Sequence, residues 1–322
     1  MRVHGLDLLR GICALLVALF HLLNWTGVAR FHAWGLFAVY VFFVISGASL
    51  VIAYRERFAS GFSASRFLLY RFARIWPLYA VVVFINVAYL PYGFSSLLNL
   101  SFLFGLANPA ITTVVLGGWS LGIEFVFYLM FPMILALAVS PARLWIGAVL
   151  MASQLLFVQI VFAGGTAEDS ILRGAYAQPL AFVAYFYLGC LIGCDVLDGK
   201  LRRFGGAPAF TVVLAVLMAG SGPTLIDTLT GPRGVVLFVV SIALTYLAAG
   251  LACNATIAAF LGNVSYGVYL IHPLVYAALK GADLAPAVTI ALCLVISTGC
   301  AYVSYRYYEI RVRSWLTKRQ RV

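Results

Sequence analysis

Three stretches carry side chains that do chemistry in places where an apolar helix is expected. LLRGICALLVALFH (8–21) holds Arg10 and His21, GGWSLGIEFVFYLMF (117–131) holds Glu124, and SYGVYLIH (265–272) holds Tyr266, Tyr269 and His272. A titratable group inside such a run is expensive and marks function by default. A histidine beside a carboxylate suggests general-base chemistry, because the carboxylate fixes one tautomer and raises the basicity of the other ring nitrogen. A fourth stretch, SRFLLYRFARIWPLYA (65–80), holds Arg66, Arg71 and Arg74. Arg71 and Arg74 are three residues apart and share a helix face. Paired guanidinium groups suit a phosphate-bearing ligand, and Pro77 would kink the helix and open a path inward.

Each residue has a plainer reading. Arg10 and His21 fall within about 20° of one helix face, roughly 16 Å apart along the axis, with Ala14 and Val17 between them. Arg10 could equally snorkel to headgroups and pair with Asp7 at i−3. His21 could bond a neighbouring helix for purely structural reasons. Glu124 lies about one turn inside its run, at a depth like that of His21, so the two could meet. It could instead be a first-turn glutamate behind a Ser120 N-cap. Arg66 reads as an ordinary membrane-edge anchor. In FFVISG (42–47), Ser46 and Gly47 sit mid-span, where small residues favour close helix packing or leave room for a ligand chain. Tyr266, Tyr269 and His272 line a polar cavity or satisfy one another between helices.

The elements that must position these groups follow from composition. Of 322 residues, 64% are hydrophobic and 10% charged, with mean hydropathy +1.04. A soluble domain carries about a quarter charged residues. The fold class is therefore an all-α polytopic membrane bundle; the period-2 alternation of a membrane barrel is absent. The first apolar run is too long for a cleavable signal peptide. The six cysteines lie in or beside apolar runs and behave as small hydrophobes. Cys190 and Cys194, one turn apart with no histidine near, do not suggest a metal site. Net charge +11 points to cytoplasmic loops and anionic lipid, not nucleic acid.

A span needs roughly 20 apolar residues. Ten are expected, near 7–27, 34–54, 67–90, 120–139, 143–163, 177–194, 207–221, 234–252, 263–280 and 285–305. The stretch 94–106 is too short and reads as interfacial or re-entrant. With both termini cytoplasmic, only Arg30, Arg173, Arg233 and Lys280 of the 21 Lys and Arg residues fall outside. If 94–106 crossed, the two sides would come out nearly even, so charge selects ten spans. No pair of matching halves with broken helices, the mark of many secondary transporters, is evident. The basic tail from about 306 is expected on the anionic inner leaflet.

DLLRGICALLVALFH (7–21), FFVISG (42–47), RFARIWPLY (71–79), WSLGIEFVFY (119–128) and SYGVYLIH (265–272), in this order, resemble integral-membrane acyltransferase family 3. That family includes bacterial O-acetyltransferases of polysaccharides. The resemblance implies one acyltransferase domain over 1–322 in the bacterial inner membrane. It implies a cytoplasmic acyl-CoA donor, acetyl-CoA by default, and a sugar or glycan hydroxyl acceptor at the outer face. The donor is a substrate; no permanently bound cofactor and no metal are implied. By resemblance His21 is the essential histidine and Arg71 and Arg74 are the pair associated with the donor. Glu124 is the carboxylate of the WSLxxE motif, and Arg10 is the arginine of the first-span motif. One departure is Glu309-Ile310-Arg311, which lacks the proline of the family's Glu-x-Pro element and leaves the tail's geometry open. No appended esterase-like domain is expected.

The joint expectation is a nucleotide end held by Arg71 and Arg74 and a pantetheine arm threading inward to a thioester near His21 and Glu124. His21 takes the acceptor's proton; a covalent acyl-histidine is the less favoured variant. Tyr266, Tyr269 and Ser46 are the candidate oxyanion donors. The rival class is a proton-coupled transporter or flippase of a lipid-linked glycan, which would need no coenzyme A.

Overall fold

The computed structural model describes residues 1–89, 93–162, 174–201 and 224–318. The long helices are α1 (His4–Trp25), α2 (His32–Ala59), α3 (Ala64–Tyr89), α6 (Gly118–Val139) and α7 (Arg143–Phe162), then α10 (Gly231–Ala249), α11 (Ala255–Leu279) and α12 (Pro286–Val303). Shorter helices are α4 (Gly93–Leu100), α5 (Pro109–Thr112), α8 (Val183–Leu197), α9 (Leu225–Leu229) and α13 (Ile310–Lys318). No strand occurs among the described residues. Among the described residues, eight helical segments are long and apolar enough to cross a membrane, the last running through α12 and α13. The 15-residue α8 fills the place of the expected sixth span. The expected span 207–221 lies outside the described residues.

α2 is the most enclosed of the long helices, while α7 turns most of its surface outward. Exposed apolar side chains on α7, such as Leu144, Trp145 and Ile160, suit contact with lipid. Small residues bring α2 and α8 into contact. A Cβ on Gly47 would run into the Phe186 carbonyl, and one on Gly189 into the Val44 carbonyl. Gly189 and Gly193 form a small-xxx-small pair, GCLIG, which lets backbones approach without a hydrophobic driving force. The mid-span Gly47 therefore serves packing, while its neighbour Ser46 faces the other way.

α1 and α11 lie side by side and parallel. At their starts Arg2 donates to the Ala259 carbonyl (3.3 Å) and to Asn263 Oδ1 (3.1 Å). At their ends the Tyr276 hydroxyl donates to the Trp25 carbonyl at 3.0 Å. The start of α11 is capped by Asn254, whose Oδ1 accepts from the backbone of Thr256 and Ile257.

The stretch 94–106 does not cross as one helix. It folds as α4, a left-handed Phe102 (φ 59°) and a single 3-10 turn, Leu103–Leu106, packed on α3 and α6. Buried Asn99 organises it. Its amide donates to the Ser95 and Thr112 carbonyls, and its Oδ1 accepts from the Tyr79 hydroxyl and the Val114 backbone. All four hydrogen-bonding capacities of the side chain are used.

At the far end, α12 passes through a π-helical turn, Ser304–Glu309, into α13, which packs on α3. The Tyr308 hydroxyl donates to the Pro77 carbonyl at 3.2 Å. The tail is thus partly built into the bundle. Glu309 is 4% exposed and accepts from Ser304 at 3.0 Å.

Candidate active site

Three arginines from two helices face one cavity. Arg10 of α1 and Arg71 and Arg74 of α3 line a space of about 180 Å³. Arg10 donates to Ser49 Oγ at 2.8 Å and lies 3.6 Å from Asp7, so the Asp7 pair and the inward-facing role coexist. Val39 and Ser49 both line the cavity. Ten residues of one helix separate them, so the space extends along α2 for about 15 Å.

Glu124 stands on the same wall. Its Oε1 accepts from Ser46 Oγ and from the Tyr128 hydroxyl, each at 2.6 Å. Tyr128 in turn accepts from Arg71 Nη2 at 2.7 Å, and the guanidinium carbon lies 4.6 Å from the Tyr128 ring centre. Arg71 and Glu124 are therefore joined through a phenol. Arg71 Nε is buried with no hydrogen-bond partner among the described residues. Arg74 makes no hydrogen bond or ion pair among the described residues. A buried guanidinium with unused donors is costly unless something accepts from it. That cost applies to the sealed Arg71 Nε, whereas Arg74 is only half-buried; the two leave the cavity donors for an anion.

Ser120 and Tyr269 add hydroxyls to the lining. Tyr269 donates to the Gly117 carbonyl at 2.8 Å and lies 2.9 Å from Ser120 Oγ. Gly117 has φ 75°, and a Cβ there would come within 2.9 Å of the Tyr269 oxygen. It is Gly117, not Ser120, that precedes α6; Ser120 donates back to the Gly117 carbonyl at 3.0 Å.

His21 is elsewhere. Its Nδ1 lies 2.9 Å from His272 Nε2, and Trp25 stacks on both rings, with centroids 5.0 and 5.8 Å away. No hydrogen bond joins His21 to Glu124 among the described residues. The expected meeting of the two is corrected: this part of α1 packs against α11, and Glu124 on α6 is taken by Ser46 and Tyr128. His272 is corrected too. Unlike Ser46, Tyr266 and Tyr269 it does not line the cavity; it is 1% exposed, three residues beyond Tyr269 on α11. Nor does α1 form a continuous polar wall, since Ala14 and Val17 between Arg10 and His21 are buried in packing. The three candidate oxyanion donors have committed hydrogens: Ser46 to Glu124, Tyr266 to the Ile75 carbonyl at 2.5 Å, and Tyr269 to Gly117.

A family model described as an acyltransferase domain matches residues 3–306. The chain belongs to the acyltransferase 3 family. It is a multi-pass membrane O-acyltransferase. It is 29% identical over 282 residues to a Rhizobium meliloti (strain 1021) protein named "Exopolysaccharide production protein ExoZ", covering 83% of this chain and 84% of that one. No solved structure matches it significantly.

In this acyltransferase 3 protein the motif residues divide into two places. Arg10, Ser46, Arg71, Arg74 and Glu124 meet at the cavity, while His21 and His272 form a separate pair. Among the further lining residues, Ser49, Tyr128 and Ser265 escaped the sequence reading although each had a signal in reach. Ser49 follows Ser46 by three residues on one helix face, Tyr128 follows Glu124 by four, and Ser265 opens the SYGVYLIH stretch. Glu309 carried no such signal, because its burial depends on the π-helical turn.

Proposed function

We propose that the protein transfers an acyl group, acetyl by default, from cytoplasmic acyl-CoA to a hydroxyl of a polysaccharide or glycan at the outer face of the bacterial inner membrane. Residues 1–322 act as one domain, with both termini cytoplasmic. The observation that carries this reading is the cavity's unspent guanidinium capacity at Arg71 and Arg74, which suits the phosphates of coenzyme A. The name of the Rhizobium relative supports a polysaccharide acceptor.

In this reading the nucleotide end rests by Arg71, Arg74 and Arg10, and the pantetheine arm runs along α2. The thioester passes the Ser120–Tyr269 contact on its way to the histidine pair, whose His272 follows Tyr269 by three residues on α11. His21 takes the proton of the acceptor hydroxyl through Nε2 as the oxygen attacks the thioester carbon. The new C–O bond forms, the C–S bond breaks, and the proton passes from His21 to the departing thiolate. Free coenzyme A leaves and the imidazole is restored.

Purified protein in vesicles, given labelled acetyl-CoA and a glycan acceptor, tests this. Wild type transfers label or hydrolyses the thioester; folded His21→Ala does not. Arg74→Ala weakens acetyl-CoA binding by about tenfold or more, the scale of a lost charged hydrogen bond. Equal turnover in His21→Ala would remove the histidine from the chemistry. Unchanged binding in Arg74→Ala would remove the donor site from this cavity.

A further inference from the structure

The histidine pair has a direction, set by a backbone carbonyl. His272 Nδ1 lies 3.0 Å from the carbonyl oxygen of Val268, one turn back on α11. A carbonyl can only accept, so Nδ1 of His272 carries a hydrogen. A neutral imidazole has one N–H, so Nε2 of His272 is an acceptor. No carboxylate contacts either ring among the described residues, and an unpaired imidazolium inside a helical bundle is costly. The hydrogen in the 2.9 Å contact then belongs to His21 Nδ1. A neutral His21 with its hydrogen on Nδ1 has a bare lone pair on Nε2.

Several features hold this arrangement. The two imidazole planes are 15° apart with centroids 5.2 Å apart, so the rings meet edge to edge along the hydrogen bond. Trp25 lies within 18° of parallel to both and fixes their common plane. Its backbone is tied to Tyr276 on α11. His21 itself is only half-buried, and its Nε2 has no hydrogen-bond partner among the described residues and is not among the sealed polar atoms.

We propose that His272 is the positioning residue that orients His21: the relay Val268 carbonyl to His272 to His21 holds the base with Nε2 free to accept a proton. This rests on the reading of His21 as the general base. It gives to an imidazole the task a carboxylate performs in other histidine dyads. An imidazole fixes the tautomer without bringing a negative charge into the bundle.

Two substitutions test it in purified, folded protein. The amide oxygen of His272→Gln can occupy the place of Nε2 and accept from His21; His272→Leu fills the space and cannot accept. His272→Leu is expected to lower kcat about 10²–10³-fold, the range for a misplaced general base, with KM for acetyl-CoA unchanged. His272→Gln is expected to stay within about tenfold of wild type. Histidine-selective ¹⁵N NMR, with the His21 signal assigned from His21→Ala, reads the tautomer directly. Wild type and His272→Gln should show Nδ1–H at His21, and His272→Leu a shift toward Nε2–H. Wild-type kcat in His272→Leu, while His21→Ala is inactive, would overturn the relay and leave the base reading standing. Full activity in His21→Ala would overturn the base reading instead. A His21 proton on Nε2 in the wild type would overturn the relay whatever the kinetics, even where His272→Leu fails to fold.

Discussion

Tyr128 donates its hydroxyl hydrogen to Glu124 at 2.6 Å while accepting one from Arg71 at 2.7 Å, so a neutral phenol bridges a cation and a carboxylate inside the bundle. The bridge keeps the two charged groups apart and leaves Arg71 Nε without a partner. A direct Arg71–Glu124 pair would use up donors that the bridge leaves for a ligand.

Tyr128→Phe keeps the ring and deletes the bridge. Each charged neighbour loses one hydrogen bond, worth about 1.5–3 kcal/mol to a charged group. The expected result is a KM for acyl-CoA raised about tenfold or more, with kcat much less affected. Steady-state kinetics in vesicles checks it. A fall in kcat alone would place Tyr128 at the reacting carbon rather than at the donor end.

Gly47→Leu should loosen the α2–α8 contact, because a side chain there meets the Phe186 backbone. Overpacking of this kind costs about 1–3 kcal/mol. Gly61→Ala is the control: nothing lies within 4 Å, and only its φ of 86° is unfavourable, about 1–2 kcal/mol. Thermal unfolding in detergent should show the larger drop for Gly47→Leu.

Asn99→Leu removes the hub of the 93–116 segment. The Tyr79 hydroxyl, the Thr112 carbonyl and the Val114 amide all lose their bond to it. A single buried unsatisfied group costs about 1–3 kcal/mol. Lower thermal stability and faster proteolysis within 93–116 are expected, whereas Ser101→Ala, on an exposed hydroxyl bonded within its own turn, should change little.

Topology is open to a direct check. Gly27 and Ser60 lie exposed on the turns after α1 and α2. With both termini cytoplasmic, Gly27→Cys should react with an impermeant maleimide in intact cells, and Ser60→Cys only after permeabilisation. The exposed native Cys300 is replaced in both. The reverse pattern would invert the orientation.

The class of this protein and most of its spans are legible in the sequence. Hydrocarbon imposes long, nearly uncharged helices, so helix existence at α1, α2, α3, α6 and α7 is written in composition alone. Local spacing also marks groups that share a helix face, as with Arg71 and Arg74, which the structure sets on one cavity wall. Which faces meet is a different matter. His21 and Glu124 have similar depths, yet His21 pairs with His272, 251 positions away, because α1 packs along α11. Glu309 is buried because a π-helical turn redirects the chain after α12, and Asn99 gains Tyr79 as a partner only once its segment folds onto α3, and Thr112 and Val114 only once the segment folds back on itself. Depth and periodicity are properties of one helix. Partnership depends on helix–helix contacts set by small residues such as Gly47 and Gly189, and only the tertiary structure decides those.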